Sequence, residues 1–199
     1  MASLIFLTGY TGTGKTTILK QYRDRALCLM GDELQLDAVR RAFPFIRKPY
    51  LYNWKSWPKD PSTMHLELLL FTSLNSVCPQ IRDHDGHILT EGTIFATEWF
   101  RDALISALGA NGKTFKDSDV HFLYLRPPHE QVFANVQKRL ESASGRENER
   151  RKLSTLENVE MRMNSYEKAI AGHRWKRCDT SEAVHKEINT ILNSEVTEA

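Results

Sequence analysis

"LTGYTGTGKTTI", residues 7–18, follows directly on the apolar run Leu4-Ile5-Phe6-Leu7. Residues 9–16 satisfy G-x-x-x-x-G-K-S/T at every fixed position. So much glycine and threonine makes poor core and poor helix. The apolar run before it has the pattern of a parallel strand buried on both faces. The glycines let the backbone turn its N–H groups inward around phosphate oxygens, where a helix begins. Gly12, Thr13, Gly14, Lys15, Thr16 and Thr17 are the expected nucleotide contacts. Lys15 is expected to reach the outer phosphates and the Thr16 hydroxyl to bind Mg2+. The stretch predicts a strand–loop–helix unit that holds a nucleoside triphosphate.

The composition sets bounds around that unit. A chain of 199 residues suits one domain spanning 1–199. Its 41% hydrophobic and 26% charged residues are ordinary globular values, and a net charge of +2 argues neither for nor against nucleic acid. Cys28, Cys78 and Cys178 are widely spaced and form no Cys/His cluster, so they read as reduced thiols rather than a disulfide frame or zinc site. The first apolar run lacks a basic flank and breaks at Gly9, too short for a signal peptide. No run approaches the length of a membrane span. The expectation is a soluble, cytoplasmic protein.

Strand and helix patterns alternate along the chain. Expected strands are 4–7, 26–30, 87–90, 120–125 and 174–178, and expected helices are 16–25, 34–42, 64–77, 97–108, 128–142, 156–171 and 181–192. Residues 109–119 read as a loop and 143–152 as a charged connector. Thr180 is placed to cap the last helix. This alternation predicts an α/β fold, a doubly wound parallel sheet, with ligands bound outside the carboxyl ends of its strands.

Each strand delivers a candidate group to that end. The second leads into Met30-Gly31-Asp32-Glu33, where Asp32 can accept a proton from an acceptor hydroxyl as general base, or can cap the next helix. The third leads into Thr90-Glu91-Gly92-Thr93, where Glu91 suits a magnesium shell, an acceptor site or a simple turn. After the fourth come Lys138, Arg139, Arg146, Arg150 and Arg151. Arginines on a mobile segment can neutralise a transferring phosphoryl group, and a solvated charged face accounts for such a run too. Arg146 and Arg150 are the expected catalytic pair and Arg139 the expected nucleotide contact. The histidines, including His65, His121 and His129, read as structural, and Met161 and Met163 as core or lid packing.

The order of these pieces resembles the P-loop kinases of small molecules and nucleic-acid ends, the group of gluconate and shikimate kinases, chloramphenicol phosphotransferase, zeta toxins and polynucleotide kinase. "ILTEGT" (88–93) is similar to the zeta-toxin strand with its Glu-Gly-Thr. "KRLESASGR" (138–146) resembles the segment leading into the lid of the gluconate kinase type. "CDTSEAVHKEI" (178–188) is similar to the turn that borders adenine, which implies a nucleotide contact for Thr180. The resemblance implies a nucleoside monophosphate kinase-like sheet, a helical lid over about 139–160, and ATP with Mg2+ as cofactors. Gln35 stands where polynucleotide kinase has an arginine three residues after its aspartate, which counts against a 5′-end acceptor.

Residues 43–80 fall outside the resemblance and read as an acceptor-binding insertion. "RKPYLYNWKSWPK" (47–59) interleaves four cations with Tyr50, Tyr52, Trp54 and Trp57. Bases stack on aromatic faces while cations follow phosphates, so Tyr52, Trp54 and Trp57 are candidate acceptor contacts. The same residues also suit a surface loop whose rings tuck onto the domain. The leading expectation is a kinase of a hydroxyl on a nucleotide or nucleic acid, such as a hydroxymethylated pyrimidine in DNA. The alternatives are a kinase of a metabolite, antibiotic or nucleotide sugar, and a nucleotide switch or ATPase. The guanine-reading Asn-Lys-x-Asp of a GTPase switch does not occur in the sequence.

Overall fold

β1 (Leu4–Thr8) is buried along its whole length and lies in the middle of a five-stranded sheet. The computed structural model describes residues 2–42, 84–142, 155–171 and 174–194. The insertion with Tyr52, Trp54 and Trp57, the helix expected over 64–77, and Arg146, Arg150 and Arg151 lie outside the described residues. The other strands are β2 (Leu27–Met30), β3 (Ile88–Glu91), β4 (Val120–Leu125) and β5 (Lys176–Cys178). Their order is β2-β3-β1-β4-β5 and every pair is parallel. Among the described residues the helices are α1 (Lys15–Lys20), α2 (Gly31–Ala42), α3 (Glu98–Ala110), α4 (His129–Ser142), α5 (Leu156–Ile170) and α6 (Ser181–Asn193). The expected doubly wound α/β sheet is what forms.

The two-residue period of β1 builds both layers. Leu4 and Phe6 face a cluster with Leu29, Ile88 and, from α3 and the turn before it, Phe95, Phe100 and Leu104. Ile5 and Leu7 face the opposite cluster, where α1 supplies Ile18 and Leu19 and α6 supplies Val184 and Ile188. A third cluster joins Val132, Val136 and Leu140 of α4 to Val159 and Met163 of α5, with Tyr10 packed against it. The chain leaves β1 toward β2 and leaves β4 toward β5, on opposite sides. That reversal opens a crevice over the end of β1, as doubly wound sheets require.

Several boundaries differ from the sequence expectation. α1 ends at Lys20 rather than Arg25, and residues 21–25 turn through Gln21 N→Ile18 O (3.0 Å) and Arg25 N→Tyr22 O (2.9 Å). Tyr22 and Ala26 are thereby buried against α6 and the sheet, which ends the helix early. α2 begins at Gly31, directly off β2, not near Leu34. Gly31 permits this: a Cβ there would lie 2.9 Å from the Glu91 carbonyl oxygen. α3 continues to Ala110, two residues into the expected loop. Met163 is core as expected, but Met161 on the same helix is 55% exposed.

Candidate functional site

The loop after β1 is held from below and from the side. Thr13 N and Thr13 Oγ1 both donate to Tyr10 O, at 3.3 and 2.9 Å, and close its first turn. Gly12 has φ +86° and Gly14 φ +97°, the left-handed region that glycine enters without a Cβ penalty. Gly12 also rests on α4: a Cβ there would lie 2.6 Å from Val136 Cγ2, and Asn135 Nδ2 donates to Gly12 O at 3.0 Å. Lys15 is buried, and its Nζ donates to Gly9 O (2.8 Å) and Tyr10 O (3.1 Å). The loop's own carbonyls therefore hold the ammonium over the end of β1. Burial pushes the Lys15 pKa down, while the Glu91 and Asp32 carboxylates push it back up. Thr16 and Thr17 are exposed, and Thr17 N is bonded to Gly14 O at 3.0 Å.

Glu91 is the last residue of β3 and pairs in register with Leu7 on one side and Met30 on the other. That register sets a carboxylate beside the loop. Thr16 Oγ1 donates to Glu91 Oε1 at 3.0 Å. Glu91 is 4% exposed, and burial pushes its carboxyl above the usual range, opposed by Lys15 and by the Thr16 hydroxyl. Asp32 is exposed in the first turn of α2, where the helix dipole favours an acid. It is not the cap of a helix starting near Leu34, because the helix begins one residue before it. Asp32 lies within electrostatic reach of both Lys15 and Glu91.

No family model and no curated protein matches the sequence. Solved structures do. The chain is similar to TT1252 from Thermus thermophilus, with a TM-score of 0.55 and 18% identity over 98% of each chain. It is similar to a gluconokinase from Sinorhizobium meliloti 1021, with a TM-score of 0.50 and 12% identity over 100% of this chain and 98% of that one. It is also similar to the YorR protein of Bacillus subtilis, solved in complex with phosphorylated GDP, with a TM-score of 0.50 and 12% identity over 99% of each chain. The chain has the P-loop kinase fold.

Within this fold the structure brings Lys15, Thr16, Glu91 and Asp32 to one place at the ends of β1, β2 and β3. Arg139, exposed in the last turn of α4, is close enough to Lys15 to lower its pKa, so it borders the same place. Thr180 stands apart, past the end of β5 and two strands from β1. Its side chain accepts from Ala183 N at 3.1 Å and caps α6, as the sequence predicts.

Two groups near the site carry no motif. Tyr166 of α5 bonds through its hydroxyl to Thr8 Oγ1 and donates to Thr93 O at 3.2 Å. Its neighbour Glu167 binds Arg126 Nε and Arg177 Nη1, each at 2.8 Å, and ties α5 to the ends of β4 and β5. The helical spacing of Val159, Met163, Tyr166 and Ile170 marks Tyr166 as belonging to the inward stripe of α5. Nothing in that spacing reveals which strand ends it meets.

Proposed function

We propose that this chain is an ATP-dependent phosphotransferase that moves the γ-phosphoryl group of ATP onto an alcohol hydroxyl of a nucleotide or nucleic-acid acceptor. The observation that carries the transferase reading is the Thr16–Glu91 hydrogen bond beside the buried Lys15, with Asp32 on the adjoining strand end. Glycines 12 and 14 and the first N–H groups of α1 cradle the phosphates of ATP. Lys15 is drawn from its loop carbonyls to the outer phosphates and neutralises charge as it develops there. Asp32 takes the proton from the acceptor hydroxyl, and Arg139, Arg146 and Arg150 neutralise charge on the transferring phosphoryl group.

Mg2+ keeps several waters and takes one or two protein groups beside phosphates. One hydroxyl and one buried carboxylate suit it, and among the described residues no group of three His, Cys, Asp or Glu side chains offers a protein-only cage. Thr16 would hold the ion directly and Glu91 would orient its shell; the bound ion would neutralise charge developing on the phosphates. Lys15 and Thr16 favour the ionised carboxylate that this role requires, against the burial that holds the Glu91 carboxyl above its usual range.

The nucleic-acid side of the proposal rests on residues 47–59, and YorR, similar in fold, was solved with a phosphorylated guanine nucleotide. A small metabolite, antibiotic or nucleotide-sugar hydroxyl is the second reading, favoured by the similarity to a gluconokinase. Transfer of labelled γ-phosphate from Mg-ATP to a panel of DNA, nucleotides and polyols decides the acceptor. With a DNA or RNA acceptor, oligonucleotide binding weakens steeply with salt, and Trp54→Ala and Trp57→Ala each cost about 1–3 kcal/mol of it. No oligonucleotide binding at low salt removes the nucleic-acid acceptor. No transfer to any member of the panel, and no hydrolysis, removes the transferase.

A further inference from the structure

The β1–β3 ladder stops at Gly92 N→Leu7 O (3.1 Å). Beyond it the chain ends diverge, one into the glycine loop and the other into the turn at Thr93–Ala96. The groups that matter lie past that point. Lys15 Nζ hangs from Gly9 O, and Glu91 immediately precedes Gly92. Their separation is therefore set by whatever fixes Thr8-Gly9 against Gly92-Thr93.

Thr8 and Thr93 reach across that gap from its two sides, Thr93 Oγ1 donating to Gly9 O at 3.5 Å, and a further side chain spans it from α5. The Tyr166 hydroxyl bonds to Thr8 Oγ1 and reaches Thr93 O at 3.2 Å. Thr8 Oγ1 itself donates to Gly92 O at 3.0 Å. Two hydroxyl protons are thus shared among three oxygen contacts that together bridge both chain ends. The Tyr166 ring meets Tyr10 edge-on at 6.2 Å and Tyr124 at 6.0 Å, which fixes the direction of its hydroxyl. The helix does not need the hydroxyl for its own packing, since Val159, Met163 and Ile170 supply its buried apolar contacts. A polar group placed among backbone groups of the two strand ends is instead a positional tie.

We infer that Tyr166 is a positioning residue for phosphoryl transfer, whose hydroxyl sets the spacing of Lys15 and Glu91 by tying the end of β1 to the end of β3. This rests on the kinase reading above, and it extends the site to a helix that carries no recognisable motif. Loss of the tie lets the glycine loop and the Glu91 end shift relative to each other, and displacements of about 1 Å at such sites cost up to roughly 10²-fold in rate.

Tyr166→Phe keeps both ring contacts and deletes only the hydroxyl. The expected result is a fall in kcat of about 10- to 100-fold, read as ATP hydrolysis or as transfer to the acceptor, with the KM for ATP and the Tm close to wild type. Amide hydrogen exchange should quicken in peptides covering 7–17 and 90–97 and stay unchanged in α3 and α6. Thr8→Val deletes the other hydroxyl of the same tie, so it should reproduce the kcat loss, and the double variant should lose no more than either single one. Should Tyr166→Phe not fold, Thr8→Val reads the same tie by the same measurements. Wild-type kcat together with wild-type exchange in the two peptides overturns the inference. So does a lowered Tm with unchanged kcat per folded molecule. If the wild-type protein neither transfers nor hydrolyses, the kinase reading is what fails. The exchange comparison then decides the tie by itself, quickened exchange supporting it and unchanged exchange overturning it.

Discussion

Alanine at Gly12 and alanine at Gly14 remove two glycines of the same loop, yet the structure separates their effects. Both positions have positive φ, +86° and +97°, so either alanine carries a left-handed strain of about 1–2 kcal/mol. At Gly14 nothing lies within 4 Å of the added Cβ. At Gly12 the Cβ would sit 2.6 Å from Val136 Cγ2 and 3.3 Å from Val132 O, inside the cluster that joins α4 to α5. Forcing a methyl into a packed interior costs about 1–3 kcal/mol more. Gly12→Ala should therefore lose about 2–5 kcal/mol and Gly14→Ala only about 1–2 kcal/mol. Urea unfolding with an unchanged m-value measures both, and at this chain length each kcal/mol also appears as roughly 2–4 °C in Tm. Val136→Ala makes room for the new methyl, so the Gly12→Ala/Val136→Ala double variant should be less destabilised than the sum of its singles. Equal losses at the two glycines, or strict additivity with Val136→Ala, would refute the contact between loop and helix.

Lys15→Ala should keep the far-UV circular dichroism of the wild type while turnover falls by about 10²–10³-fold or more, the usual effect of deleting a group aimed at developing charge; near-normal turnover rules out the phosphate-loop reading. Asp32→Asn should lower kcat by about 10²-fold or more with ATP affinity nearly unchanged, and a loss of Tm without a kcat defect would assign Asp32 to helix stability alone. Tyr124 is 3% exposed, its hydroxyl has no partner among the described residues, and burial pushes its phenol up to about 12. The neutral form is favoured in the folded state, so stability is full below the ordinary tyrosine value of about 10 and falls as pH rises from there toward 12. Tyr124→Phe should flatten that fall and raise neutral-pH stability by about 1 kcal/mol by removing an unsatisfied hydroxyl; a destabilised variant with an unchanged alkaline slope contradicts this.

The sequence legible on its own was local. Gly9–Thr16 specified a tight glycine loop between strand and helix because its signature lies in eight consecutive residues, and Leu4–Leu7 specified a buried strand because a continuous apolar run is a property of neighbours. Val120–Leu125, the Thr180 cap and the parallel α/β class followed from the same short-range rules. Helix limits were less legible: whether α1 stops at Lys20 depends on burying Tyr22, and whether α2 starts at Gly31 depends on how closely it passes the Glu91 carbonyl. Asp32 and Glu91 could be named as acids at strand ends. That Glu91 meets Thr16, 75 residues away, required the β1–β3 register.

The groups with no local signature were decided by tertiary structure alone. Gly12 belongs to the motif for its left-handed turn, but its contact with Val136 and the bond from Asn135, 123 residues on, exist only because α4 passes beside the loop. Tyr166 reads in sequence as one more residue of an amphipathic stripe, and its bond to Thr8 spans 158 residues. Periodicity fixes which way a side chain faces within its own element, because the backbone repeat is set by nearest neighbours. It does not fix what the side chain meets there, because that depends on the burial of every other element against the same sheet.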